Sequence, residues 1–273
     1  MTLDVPEIPR FRSVVNAIPI PYWRDKVLLE ALYLTASREA ELSTQTIPWD
    51  LLHKRTKPYG LYLTFGIKDF EMAPARDHEP AKIEKILVIQ EACAKRMKGK
   101  KKLADDTELT VEETANYLPQ QLREGYVKNP ASVDPLIVKS FLGELSLKSI
   151  ALPCNPVFEP WTHDLLKIIS KTGTLSFKLT RFRMWQIQRQ WLSSLLKPKN
   201  KRNERNPLRH FRLTHLAGEY DFNAYDISVY SGWTMGTTAG MFGIQSSNQI
   251  GQYVHLKWKD YLPKLLKPIS DFE

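Results

Sequence analysis

All the strand-like patterns of this chain lie ahead of Pro160, and that placement constrains the fold more than any other feature. Leu61 to Ile67 (LYLTFGI), Lys85 to Ile89 (KILVI) and the short Ser149 to Leu152, stopped by Pro153, read as strands. From Pro160 onward the spacing is helical throughout. Trp161 to Ser170 forms one helix. Thr180 to Leu196 forms a second, with Phe182, Trp185, Arg189, Leu192 and Leu196 on one stripe. Leu208 to Ala217 forms a third, Asn223 caps a further helix through Tyr230, and Lys257 to Leu266 forms the last. Ahead of the strands, Tyr22 to Ser37 (YWRDKVLLEALYLTAS) has no Gly or Pro and reads as a buried helix. The expectation is a single, mainly helical α+β domain over residues 1–273, with its core at about 15–266, a small antiparallel sheet and an insertion at 97–147. Within that insertion the segment up to Pro119 reads as helix, opened by a capping box of Thr110 and Glu113.

Charge is distributed unevenly. Residues 178–212 hold eleven Lys and Arg against Glu204 alone, a local +10 in a chain whose net charge is +9. A second basic cluster, Lys95 to Lys102 (KRMKGKKK), is followed by Leu103 to Leu147 with eight acids and three bases. A basic face on a near-neutral body points to a polyanionic partner, with nucleic acid the commonest. Arg181, Arg183, Arg189, Lys199, Arg202 and Arg212 are the expected DNA-binding residues. Two cysteines, Cys93 and Cys154, cannot build a disulfide framework or a four-thiolate zinc site, and the histidines lack helical metal-ligand spacing, so no structural metal is expected. The start MTLDVPEIPRF lacks a cationic flank and apolar run, and the uncharged stretch Ile227 to Leu256 carries five glycines and many polar residues. These features imply no membrane segment and a cytoplasmic, nucleoid-associated protein.

Four segments then occur in a telling order: LYLTASREAEL at 32–42, NPLRHFRLTHL at 206–216, SGW at 231–233 and QYVHL at 252–256. Together they resemble the tyrosine recombinase (phage integrase, Xer-like) family, whose catalytic domain carries an Arg-containing segment after a helix, an RH…THL segment, an LGH or LGW motif and a YxHL motif. The resemblance covers Pro21 to Glu91 and Lys148 to Leu266, and is strongest from Leu208 onward. It implies site-specific cleavage and rejoining of double-stranded DNA through a 3′-phosphotyrosyl intermediate, by a dimer or tetramer assembled on DNA, as in integrases of mobile elements.

By resemblance Arg38 and Arg209 are the guanidinium pair that compensates charge on the nonbridging phosphate oxygens. Planar forks that stay charged suit that task. Trp233 stands where the family has a ring N–H donor, and Tyr253 is the nucleophile, whose phosphotyrosyl bond stores the energy of the broken linkage. Lys148, ahead of the SIALP strand, is the favoured general acid, with Lys98 and Lys100 as alternatives. Glu41 is expected to orient or neutralise an arginine.

The chain departs from the family in three places. Asn206 stands where His or Lys is usual, and an amide cannot shuttle a proton near neutral pH. Trp233 and Tyr253 are 20 positions apart, about twice the family's usual separation. Arg38 lies too near the start for the helical core-binding domain that usually precedes it, so the grip on DNA is expected from 178–212, the insertion or another protein. A DNA-binding accessory protein of the same fold without catalysis is the alternative these departures favour, and a type IB topoisomerase-like enzyme is a third.

Overall fold

Val27, Leu28, Leu29, Ala31, Leu32 and Leu34 are all buried on one twelve-residue helix, so that its last two turns are covered on every side. The computed structural model describes residues 5–43, 61–74, 76–94, 109–118, 120–133, 135, 138, 141–142, 145–172, 177, 179–196, 206–232 and 258–266. Among them the helices are α1 (Ile8–Asn16), α2 (Trp23–Leu34, the apolar helix), α3 (Glu39–Ser43), α4 (Val111–Ala115), α5 (Gln120–Lys128), α6 (Thr162–Thr172), α7 (Arg181–Leu192), α8 (Pro207–Gly218), α9 (Ala224–Ser231) and α10 (Trp258–Leu265). Helices α1, α6, α7 and α8 pack around α2. The fold is a mixed α+β arrangement, mainly helical, with one small antiparallel sheet.

That sheet has the order β1 (Leu61–Met72), β2 (Lys82–Ala94), β3 (Leu145–Pro153). Ile86, Leu87, Val88 and Ile89 are consecutive and all buried, as expected of a middle strand covered on both faces. The register pairs Ile89 with Ile150 and Leu87 with Leu152, and sets Lys148 opposite Glu91. The free edge of β3 is closed by Tyr261 of α10, whose hydroxyl accepts from Ala151 N at 2.9 Å and donates to Ser149 O at 3.3 Å.

The strands run longer than the sequence patterns, and β3 begins ahead of Lys148 rather than after it. Helix α1 was not expected at all. Its Ile8, Phe11 and Val15 are buried, so the core starts near residue 8 and not 15. Between β2 and β3 the capping box of Thr110 and Glu113 forms, α5 continues the helical structure past Pro119, and Leu118, Val133 and Val138 make a separate small apolar cluster.

A buried ionic cluster joins α1, α8 and the segment before α6. Glu159 accepts from Arg12 at 2.8 Å and from Arg212 at 3.2 Å. Arg212 also donates to Tyr230 Oη, and its guanidinium lies 5.0 Å from the Tyr33 ring. His215 Nε2 lies 2.7 Å from the Pro6 carbonyl, which can only accept, so that nitrogen carries the proton and Nδ1 accepts from the Tyr33 hydroxyl at 2.8 Å. Burial pushes His215 down to about 4, consistent with this neutral form.

Candidate functional site

Helix α2 ends at Thr35, and the chain turns through Ala36 in the left-handed region (φ 46°) before α3. That turn leaves the Thr35 and Ala36 carbonyls outside the helical ladder, at the negative end of the α2 dipole, where cations are favoured. Two cations take them. Lys148 of β3 donates from Nζ to Thr35 O and lies 3.4 Å from Ser37 Oγ. Arg209 of α8 donates from Nη1 to Ala36 O at 2.5 Å and from Nη2 to Ser231 O, at the end of α9, at 3.0 Å. Both side chains are buried.

Arg38 and Glu41 open α3 as a partial capping box. The Arg38 N–H donates to Glu41 Oε2 at 2.7 Å, the reach of an N3 acid back to the N-cap. The Arg38 guanidinium lies 3.2 Å from Glu41 Oε1 with its side chain 55% exposed, while Arg209 Nη1 lies 4.0 Å from Glu41 Oε2. One carboxylate therefore stands between two guanidinium groups, the buried Arg209 and the solvent-facing Arg38.

Asn206 precedes α8 in the left-handed conformation (φ 57°, ψ 55°), which Asn tolerates better than most residues. It does not cap its own helix. Its Oδ1 instead accepts from Glu39 N at 3.3 Å, satisfying one of the amides left open at the start of α3. Glu39 is buried, with Gln188 of α7 donating to it at 3.2 Å and Arg181 Nε at 4.0 Å. Arg38 at the start of α3, Lys148 of β3, and Asn206 and Arg209 at the start of α8 thus meet around residues 35–41 from three separate parts of the chain.

The expected DNA-binding residues divide. Arg181 and Arg183 are exposed at the start of α7, Arg183 lying 3.3 Å from Gln186 Oε1, and Arg189 sits over the Trp185 ring at 5.1 Å. Arg212 does not belong with them. It is fully enclosed, satisfied by Glu159 and Tyr230, and presents nothing to a surface. Lys199, Arg202, Trp233 and Tyr253 lie outside the described residues, as do the alternative lysines Lys98 and Lys100. Helix α9 closes with Gly232 in the left-handed region (φ 68°), directly before Trp233. Two described tyrosines near Tyr253 in sequence have sequestered hydroxyls. Tyr230 donates to Leu34 O and is pushed up to about 12 by burial, and Tyr261 is buried against β3, which pushes its hydroxyl well above the ordinary tyrosine value.

Sequence reasoning did not single out Ser37, Glu39 or Gln188, which hold the turn and the start of α3 in place. Their partners come from distant segments, and the only local signal was the pair of small hydroxyl residues, Thr35 and Ser37, after an apolar helix. Chemically, two guanidinium groups and an ammonium around one turn suit a phosphate diester, which needs charge compensation on two oxygens and a proton for its leaving group. No family model, curated protein or solved structure matches this chain.

Proposed function

We propose that the protein is a site-specific DNA strand-breaking and rejoining enzyme of the tyrosine recombinase type. The meeting of Arg38, Lys148, Asn206 and Arg209 around residues 35–41 supports the reading most strongly, because these residues are scattered over 172 positions and were named from motif positions alone. In this reading Arg38, exposed and held by Glu41, and Arg209, beneath it, engage the nonbridging oxygens of the scissile phosphate. Trp233, following Gly232, adds a ring N–H. Tyr253 Oη loses its proton to water as it attacks phosphorus, the 5′ oxygen leaves with a proton from Lys148, and the 3′ phosphate stays on the tyrosine. Reversal by a 5′ hydroxyl rejoins the strand. The chain would act as a dimer or tetramer on double-stranded DNA, with Arg181 and Arg183 contacting phosphates.

The experiment is cleavage of a nicked DNA substrate that traps the covalent intermediate. Arg38→Ala should slow trapping by roughly 100- to 1,000-fold, the range for loss of one transition-state donor, while DNA affinity changes little. Parallel loss of affinity and cleavage would make Arg38 a binding residue instead.

A noncatalytic DNA-binding accessory protein is the second reading. It is favoured by Asn206, whose carbonyl oxygen is committed to α3 and whose amide offers no proton shuttle. Its signature is tight, salt-sensitive DNA binding with no adduct on a cognate site. Among the described residues no helix is long and apolar enough to cross a membrane.

A further inference from the structure

Helix α7 buries Met184, Ile187, Gln188 and Leu192 and turns Phe182 outward, although the sequence stripe grouped Phe182 with the apolar residues. Phe182 is 64% exposed and stands between Arg181 and Arg183. It is not a loose side chain. Its ring stacks on Trp185 (centroids 5.8 Å apart, planes 23°), and Trp185 is backed in turn by the Arg189 guanidinium at 5.1 Å. Residues 182, 185 and 189 share one helix face, so they form a short stack whose outer member faces solvent. The start of α7 is tied to the candidate site, since Arg181 Nε lies 4.0 Å from Glu39 Oε2, next to Arg38.

An exposed aromatic ring costs solvation, which a single stack within its own helix only partly offsets. Flanked by arginines, it matches the surface used for unpaired nucleobases, in which the ring supplies a stacking face and the cations hold the adjoining phosphates. A base within a duplex is already stacked on both faces and has none to offer, so the ring selects an unpaired one. An acidic peptide would satisfy the arginines but leave the ring's face without a flat partner. We propose that Phe182 is a stacking platform for an unpaired DNA base beside the Arg38 site, an inference that rests on the DNA reading above and adds to it a preference for locally opened duplex.

The test measures fluorescence anisotropy of the full chain with four oligonucleotides of one sequence: a fully paired duplex, the same duplex with one bulged 2-aminopurine, the single strand and its RNA counterpart. Phe182→Ala should weaken binding of the bulged duplex and single strand by roughly tenfold, the scale of one base–aromatic stack, and leave the paired duplex unchanged. Phe182→Leu, which keeps apolar area without a π face, should behave like the Ala variant, and Phe182→Trp like the wild type. Emission from 2-aminopurine should be quenched by wild type and Phe182→Trp but not by Phe182→Ala. An unaltered melting temperature in each variant, expected because the ring is exposed, shows that folding is not the cause. Equal loss on paired and unpaired DNA, or no loss on either, overturns the proposal, as does tenfold tighter binding of the single strand's RNA counterpart. No binding to any oligonucleotide overturns the DNA reading as well, whereas binding that ignores the bulge overturns this inference alone.

Discussion

Lys148 on β3 and Arg209 on α8 donate to the carbonyls of consecutive residues, Thr35 and Ala36. The turn at the end of α2 therefore sets the position of both cations at once. It owes its shape to Ala36 in the left-handed region, a conformation that costs a residue with a Cβ about 1–2 kcal/mol and that the two cations help to hold.

That arrangement separates the two arginines experimentally. Arg209→Ala removes the buried donor that Ala36 O and Ser231 O share, at about 1–3 kcal/mol for a buried group left unsatisfied, so it should lower both the melting temperature and the cleavage rate. Arg38→Ala, exposed, should lower cleavage without lowering the melting temperature. Thermal denaturation beside single-turnover cleavage reads both; equal melting losses in the two variants would contradict the geometry.

Lys148→Met should slow cleavage of ordinary DNA and be rescued on a substrate whose 5′ bridging oxygen is replaced by sulfur. A thiolate leaves without a proton, so a general acid becomes dispensable. Absence of rescue would leave Lys148 as a prop for the turn through Thr35 and Ser37.

Arg212 and Arg183 should respond oppositely to replacement. Arg212→Met strands Glu159 beside a single remaining arginine, Arg12, and should cost about 3–5 kcal/mol of stability. Arg183→Gln should leave stability within about 0.5 kcal/mol, and lower the slope of log affinity against log salt by about 0.9 if it holds one phosphate. Chemical denaturation and a salt titration distinguish them.

Stability should fall as pH rises toward 8, because of Glu30. Burial, reinforced by nearby Asp164, pushes its carboxyl up to about 8, with Lys26 Nζ at 3.4 Å only partly offsetting this. A carboxyl raised above its unfolded value near 4.5 stabilises the fold fully below that value and loses the contribution as pH climbs through 8. His215, lowered from 6.5 to about 4, works in the opposite direction, adding stability as pH rises from 4 to 6.5. The two partly cancel below 6.5, so the Glu30 effect should stand clear between 6.5 and 8. Melting temperatures of wild type should drop across that window and those of Glu30→Gln should stay flat; parallel curves would mean Glu30 is ionised in the fold.

The mixed, mainly helical class was legible because every segment after Pro160 reads as helix, and because Val27 to Leu34 is too apolar to be anything but a buried stretch of helix. Helix α1 was not, since nine residues containing a proline give too short a pattern to stand out. Arg38 with its partner Glu41, Lys148 and Arg209 could be named from their motifs, but the acceptors of Lys148 and Arg209 could not, because the Thr35 and Ala36 carbonyls point outward only through the turn at Ala36. Arg212 and Phe182 were misread for complementary reasons. Counting charges cannot see Glu159 arriving from another segment to bury an arginine, and helical periodicity cannot see that Met184 and Ile187 already fill the core side of α7.

Mass spectrometry of the peptide trapped on nicked cognate DNA tests the central claim most directly. Tyr230 and Tyr261 are buried with their hydroxyls engaged, so neither can reach a phosphate without unfolding the core. The account predicts one covalent adduct, on Tyr253, abolished by Tyr253→Phe and retained when Tyr225 is replaced. An adduct on any other tyrosine, or none on a DNA site the protein binds specifically, would contradict it.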